Sequence, residues 1–138
     1  MTQLSMTVQN AEIVRKGLQD LGAEIPKIGR LQIYQTAQAI VRRMRVYPPE
    51  RPNQTYIRTG RLGAGWGVRQ SNGAMAGYTV YNSVPYTKYV VGNAYGLEQA
   101  WMHEGRWNLL RDVQEEEVQK LPPEIEKEIS MVARRVGL

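Results

Sequence analysis

The chain has 138 residues, 42% of them apolar and 22% charged, with a formal net charge of +5. These values fit one soluble globular domain over residues 1–138 and exclude a disordered chain, and no apolar run approaches the roughly eighteen residues of a membrane span. The absence of cysteine excludes disulfides and thiolate metal sites and fits synthesis in the cytosol.

The N-terminal stretch has no basic flank, apolar core or small-residue cleavage site, so a signal peptide is not expected. Residues 5–8 read as a short edge strand. Asn10 is placed to cap a helix, with Glu12 in its first turn, where a carboxylate suits the helix dipole. Ile13 at the third helical position leaves the capping box incomplete. The helix is predicted to end near Leu21, closed by Gly22, and Pro26 to open a second one. In that second helix Ile33, Ala37, Ile40, Val41 and Met44 share one apolar face, which is read as core. Arg42, Arg43 and Arg45 fall at its C-terminal end, where cations suit the dipole.

Residues 42–69 form the most unusual segment, with seven arginines and a single acid, Glu50. Pro48, Pro49 and Pro52 force an extended path after Tyr47, because proline fixes φ and restricts the residue before it. Residues 46–62 are therefore expected to be an extended arm, poor material for a core and suited to reaching another molecule. The candidate contact residues along it are Tyr47, Arg51, Tyr56, Ile57, Arg58, Thr59, Arg61 and Leu62. Burying Tyr56, Ile57 and Leu62 at about 25 cal/mol per Å² would contribute a few kcal/mol per subunit. Gly63, Gly65 and Gly67 match no phosphate-binding loop and are read as a flexible re-entry to the sheet.

Residues 66–70 and 76–82 look like two strands around the turn residues Ser71, Asn72 and Gly73, with Tyr78 and Val80 on one face and Thr79 and Tyr81 on the other. Residues 89–92 are predicted as a third extended or turn-like element. Helices are expected over 107–120 and 123–135, with a kink or break at Leu121 before Pro122 and Pro123. The fold class is α+β: a small antiparallel sheet packed against N- and C-terminal helices, with a long extended loop between the second helix and the sheet.

A single histidine, His103, rules out two-histidine chemistry. A Ser-His-Asp site would have to recruit Asp20 or Asp112, and no G-x-S-x-G elbow surrounds a serine. His103 lies between Trp101 and Trp107 and is read as a partly buried, hydrogen-bonded residue beside an aromatic pair, or as a partner contact together with those tryptophans. Glu115, Glu116 and Glu117 are read as a solvated helix face. No catalytic, cofactor or metal site is expected, and the chain is not read as an enzyme. Seven arginines less Glu50 give residues 42–69 a charge of +6, whereas eight acids against four bases give residues 104–128 a charge of −4. Opposite charges on different segments suit head-to-tail docking between copies, the arrangement that closes rings. The alternative is a basic nucleic-acid-binding protein using the arginines and aromatics of 42–69, although no RRM, KH, zinc-finger or basic-zipper signature is present.

Three phrases occur in a fixed order: Tyr56-Ile57-Arg58-Thr59-Gly60-Arg61-Leu62, then residues 84–92 (VPYTKYVVG), then Gln99-Ala100-Trp101-Met102-His103. In order and spacing the chain resembles the minor tail component, or tail-completion, proteins of long-tailed bacteriophages, over roughly residues 5–135. It departs from the commoner pattern in its YPPERPNQ insertion and in Trp-Met-His where a Pro-Phe phrase is more usual. The resemblance implies a virion structural protein, made in the host cytoplasm. It implies a ring, expected to be a hexamer, at the head–tail junction or upper tail. Its partners would then be copies of itself and adjacent connector, tail-terminator or tail-tube proteins, with DNA passing through the lumen and no membrane. The resemblance also implies that a neighbouring protein subunit, rather than its own domain, holds the arm at residues 46–62.

Overall fold

The computed structural model describes residues 8–54, 58–71 and 77–138. The elements in order are α1 (Val8–Met44), α2 (Arg61–Ala64), β1 (Trp66–Ser71), β2 (Gly77–Asn82), α3 (Thr87–Val91), a 3₁₀ turn at Trp101–His103, α4 (Leu110–Val118) and α5 (Leu121–Arg135). The fold is α+β, with helices before and after a two-stranded antiparallel sheet. The chain divides into two compact units, one from the described part of Met1–Gln32 with Leu121–Leu138, the other Ile33–Lys120.

The N-terminal reading needs correcting. Where two helices were predicted, one 37-residue helix runs through both Gly22 and Pro26. Proline inside a helix removes the bond to the carbonyl four residues earlier and crowds that carbonyl. Here that residue is Gly22, which has no side chain to add to the crowding. Val8 and Asn10 are helical, so neither the strand at Val8 nor the Asn10 cap forms; Ser5 lies outside the described residues. In the first unit Gly17 is buried, and a Cβ there would meet Leu138 Cγ and Cδ2 and the Val136 carbonyl at 3.1–3.3 Å. Ile28 and Val132 are the buried apolar side chains of this unit among the described residues.

The second unit holds the main core: Ile40, Val41, Met44, Leu62, Trp66, Val84, Val90, Val91 and Val113. Of the predicted helical face, Ala37, Ile40, Val41 and Met44 are buried, while Ile33 is only half-buried. The strand pair is also as expected, with Trp66 opposite Asn82, Val68 opposite Val80 and Ser71 opposite Gly77. Tyr78 and Val80 are half-buried while Thr79 and Tyr81 are exposed, as the two-residue alternation requires. Asn72 and Gly73, from the predicted turn, lie outside the described residues.

Residues 87–91 form a helix rather than a strand. Thr87 donates from both its backbone N–H and its hydroxyl to the Val84 carbonyl, at 3.2 and 2.7 Å, which turns the chain after Pro85. Val90 and Val91 are both buried; a strand would send consecutive side chains to opposite faces. At the C-terminus α4 ends at Val118, and α5 starts at Leu121 with Pro122 and Pro123 in its first turn. There the missing N–H groups have no helical partner to lose, so the prolines open a helix.

The alternating glycines serve contact more than flexibility. A Cβ on Gly65 would clash with Asn82 Oδ1 and lie 2.9 Å from Val84 Cγ2, and one on Gly67 would lie 2.7 Å from the Tyr81 ring. Asn82 cannot give way, since it donates to the Leu62 carbonyl and accepts from Val84 N–H. Gly65→Ala is expected to cost about 1–3 kcal/mol, as overpacking does, read as a lower urea midpoint; an unchanged midpoint would show that Asn82 moves freely.

Candidate functional site

The proline-rich limb leaves α1 extended, as the X-Pro restriction demands, but it does not reach away from the molecule. Its described residues fold back onto the segment around residues 101–107. The Tyr47 ring stands edge-on to Trp107 at 5.3 Å between centroids, and its hydroxyl accepts the Gly63 N–H at 2.7 Å. Arg58 lies with its guanidinium carbon 5.5 Å from the Tyr47 centroid and 5.9 Å from that of Trp107. From there it donates Nη1 to the Pro48 carbonyl at 2.6 Å. Arg51 donates to the Met102 carbonyl at 2.8 Å, and Arg106 donates back to the Pro49 carbonyl at 2.9 Å. The expectation that only a neighbouring subunit orders this limb is therefore corrected. The extended backbone offers carbonyls that arginines of the same chain can reach, and the guanidinium of Arg58 packs against both rings of the Tyr47–Trp107 pair.

These contacts wall a groove of about 410 Å³, lined by Tyr47, Arg58, Thr59, Gly60, Arg61, Leu62, Tyr86, Val90, His103 and Trp107. Seven of the eleven candidate residues thus meet here. Leu62 also belongs to the core, at 6% exposure, so it is not a surface anchor. Arg51 braces the limb from outside the groove, and Trp101 projects away, 79% exposed. Tyr56 and Ile57 lie outside the described residues. Gly60 takes a positive φ of 76° to start α2, a conformation that glycine adopts freely.

Gln99 and Arg106 were missed by sequence reasoning. Gln99 Nε2 lies within hydrogen-bond reach of the carbonyls of Val90, His103 and Trp107, nearest to Val90 at 2.8 Å, and so fixes the aromatic segment from below. Nothing local marks a glutamine for this role; Arg106, beside Trp107 in a segment with few other bases, was the available clue.

His103 is half-buried, with its ring at 89° to Trp107 and 6.3 Å away. Burial first, then the charges of Arg106 and Arg51, hold its pKa below the ordinary 6.5, so the imidazole is neutral near pH 7. The expected partial burial is observed, but Nδ1 has no hydrogen-bond partner among the described residues, so the expected hydrogen bonding is not seen at this nitrogen.

The remaining arginines of 42–69 are largely committed as well. Arg43 pairs with Glu116 at 2.6 Å and with Glu117 at 3.1 Å, and Arg45 donates to the Trp66 carbonyl. Arg69 lies over the Tyr81 ring at 5.1 Å. Glu117 is buried, not part of a solvated face as expected, and also pairs with Lys120 at 3.0 Å. Burial pushes its pKa up, but the bonds and charges of Lys120 and Arg43 outweigh this and hold it below the usual 4.5. Five of the seven arginines therefore face groups of their own chain; among the described residues Arg43 alone of them meets carboxylates, while Arg45, Arg51, Arg58 and Arg69 serve carbonyls or rings and keep their charge. Comparison with protein-family models, with curated proteins and with solved structures finds no match to this chain.

Tyr47→Phe strips the Gly63 N–H of its acceptor and should lower stability by about 1–3 kcal/mol. Proteolysis within residues 48–54 should quicken in parallel; an unchanged cleavage rate would mean the limb is held by other contacts. For Glu117, a folded pKa below the unfolded value stabilises fully above about pH 4.5, and the benefit disappears as pH falls through the folded value. Urea midpoints between pH 6 and pH 3 should therefore drop more for the wild type than for Glu117→Gln, and equal drops would refute the pairing.

Proposed function

We propose that this chain is a structural subunit of a long-tailed phage particle, joining copies of itself in a ring, with six as the expected number, at the head–tail junction or upper tail. The order of the three sequence phrases supports the assignment. The observation that carries it is where large apolar side chains face solvent. Tyr86 and Tyr89, in the second phrase, are 41% and 50% exposed, and Trp101 and Met102, in the third, are 79% and 42% exposed. Tyr95 and Leu97, on the loop between them, are also exposed. Exposed apolar side chains concentrated in this way mark contact surfaces, and aromatic residues are favoured at interface cores. A second apolar set, Val14, Leu18 and Ile25 on α1, is exposed at helical spacing in the other unit.

The limb takes a different part from the one its composition suggests. Folded back, it braces the segment that carries Trp101 and Met102, so its arginines shape the contact surface instead of making it. The nucleic-acid reading gains no support from arginines that already serve the chain's own carbonyls and carboxylates.

Infection with a phage lacking this gene should yield heads and tails that fail to join. Complementation with Trp101→Asp should leave the same defect, with an unchanged melting temperature for the purified variant. Joined, infectious particles formed without the gene product would overturn the assignment.

A further inference from the structure

We infer that the groove formed by Tyr47, Arg58, His103 and Trp107 is a binding site for a carboxylate carried on an apolar or aromatic body. Arg58 carries the argument. Its Nη1 is used by the Pro48 carbonyl, but its Nε and Nη2 are shielded from water and have no hydrogen-bond partner among the described residues. Those two nitrogens form one edge of the planar guanidinium, the edge that binds both oxygens of a carboxylate through parallel hydrogen bonds. Trp107 Nε1 and His103 Nδ1, in the same groove, are likewise shielded and unpaired. Unpaired buried polar atoms are rare because each forfeits its hydration, and here three side chains that line one groove hold four of them, three being donors in every protonation state: Arg58 Nε and Nη2 and Trp107 Nε1.

Charge points the same way. No acidic residue is among the described residues lining the groove, and Arg58 has no counter-ion among the described residues. Arg61 lines the groove exposed, while Arg51 and Arg106 are close enough to disfavour protonation of His103. The guanidinium is half-buried and meets one carbonyl and two rings, and a carboxylate would satisfy the two nitrogens that these contacts leave unpaired. A larger groove, about 570 Å³, offers no comparable demand for an anion, since its lining carries Glu98, Glu104, Asp112 and Glu116 and its arginine, Arg43, already pairs with Glu116. Leu62, Val90 and Tyr86 give the smaller groove apolar walls, which favour a carboxylate on an apolar body over inorganic phosphate. Because the Arg58 edge is shielded, uptake requires the side chain to turn toward the groove, breaking its bond to Pro48. The ligand's two oxygens replace that bond.

The carboxylate has two sources, a glutamate of a second copy or a free organic acid, and the site does not depend on ring formation. The full chain is titrated with benzoate, with a peptide of residues 110–128, and with inorganic phosphate. The imidazole of the chain's single histidine reports binding by NMR. Saturable binding of benzoate or the peptide is expected, with a rise in the His103 pKa as the carboxylate enters. Arg58→Lys keeps the charge but loses the planar edge, and should weaken binding at least about tenfold. Trp107→Phe keeps an aromatic ring but loses the indole N–H and should weaken binding several-fold, while Arg42→Lys, at an exposed residue outside the groove lining, should change little. Peptide binding displaced by benzoate identifies a second copy as the source, and benzoate binding alone identifies a small acid. No saturable binding of either, binding of phosphate alone, or an affinity unchanged in both Arg58→Lys and Trp107→Phe would overturn the inference.

Discussion

The stack of Tyr47, Arg58 and Trp107 is the contact on which the second unit's surface depends. Three stretches distant in sequence meet there: the exit from α1, the approach to α2 and the segment before α4. Each contact is modest alone, since a cation over an aromatic ring is worth about 0.5–1 kcal/mol when exposed and more when desolvated. Together they close a loop of extended backbone that has few partners of its own. The Tyr47 hydroxyl adds a bond to Gly63, and Gly63 has no side chain to keep the ring away. The limb is thereby tied to α2 and the sheet at one end and to the aromatic segment at the other.

Arginine is suited to this task in a way that lysine is not. Its fork of N–H groups can serve a carbonyl while its face rests on a ring. Arg51, Arg58 and Arg106 each donate to a backbone carbonyl, two of them on the limb and one on the segment opposite. What looks in sequence like an electrostatic footprint is, in the fold, mostly internal scaffolding. The same economy holds for Arg43, which binds α4 to α1 through Glu116 and the buried Glu117. Hydrogen-bonding capacity spent on the chain's own carbonyls is not left for a partner, and the unpaired edge of Arg58 is the exception.

This arrangement separates two roles within one unit. Trp101, Met102 and the exposed tyrosines belong to a surface whose apolar area is available to a partner. The groove behind them is enclosed by side chains whose polar atoms are only partly satisfied. Because Met102 is itself fastened through Arg51, occupancy of the groove and presentation of Trp101 share a common support.

Much was legible in the chain before folding. Helical spacing marked Ala37, Ile40, Val41 and Met44 as core, and two-residue alternation separated the half-buried face of β2, with Tyr78 and Val80, from its exposed one. The aromatic and arginine residues of the groove were also singled out, because such residue types in an extended, proline-stiffened stretch must find partners. Their partners could not be read from the sequence. Whether Arg58 meets a neighbouring subunit or Trp107, 49 positions later, depends on the path of the intervening chain, and local rules contain no such information. The same limit hid Glu117, whose run of carboxylates is locally a solvated face until Arg43 arrives from α1. It also hid the continuity of α1 through Pro26 and the helix at residues 87–91, whose buried Val90 and Val91 belong to the core. Periodicity and backbone stereochemistry are properties of neighbours in sequence, and so the chain alone determined its α+β elements and their buried sides. Pairing between distant charges, rings and carbonyls is a property of neighbours in space, and so only the tertiary structure decided that the limb closes on its own molecule and leaves one edge of an arginine unpaired.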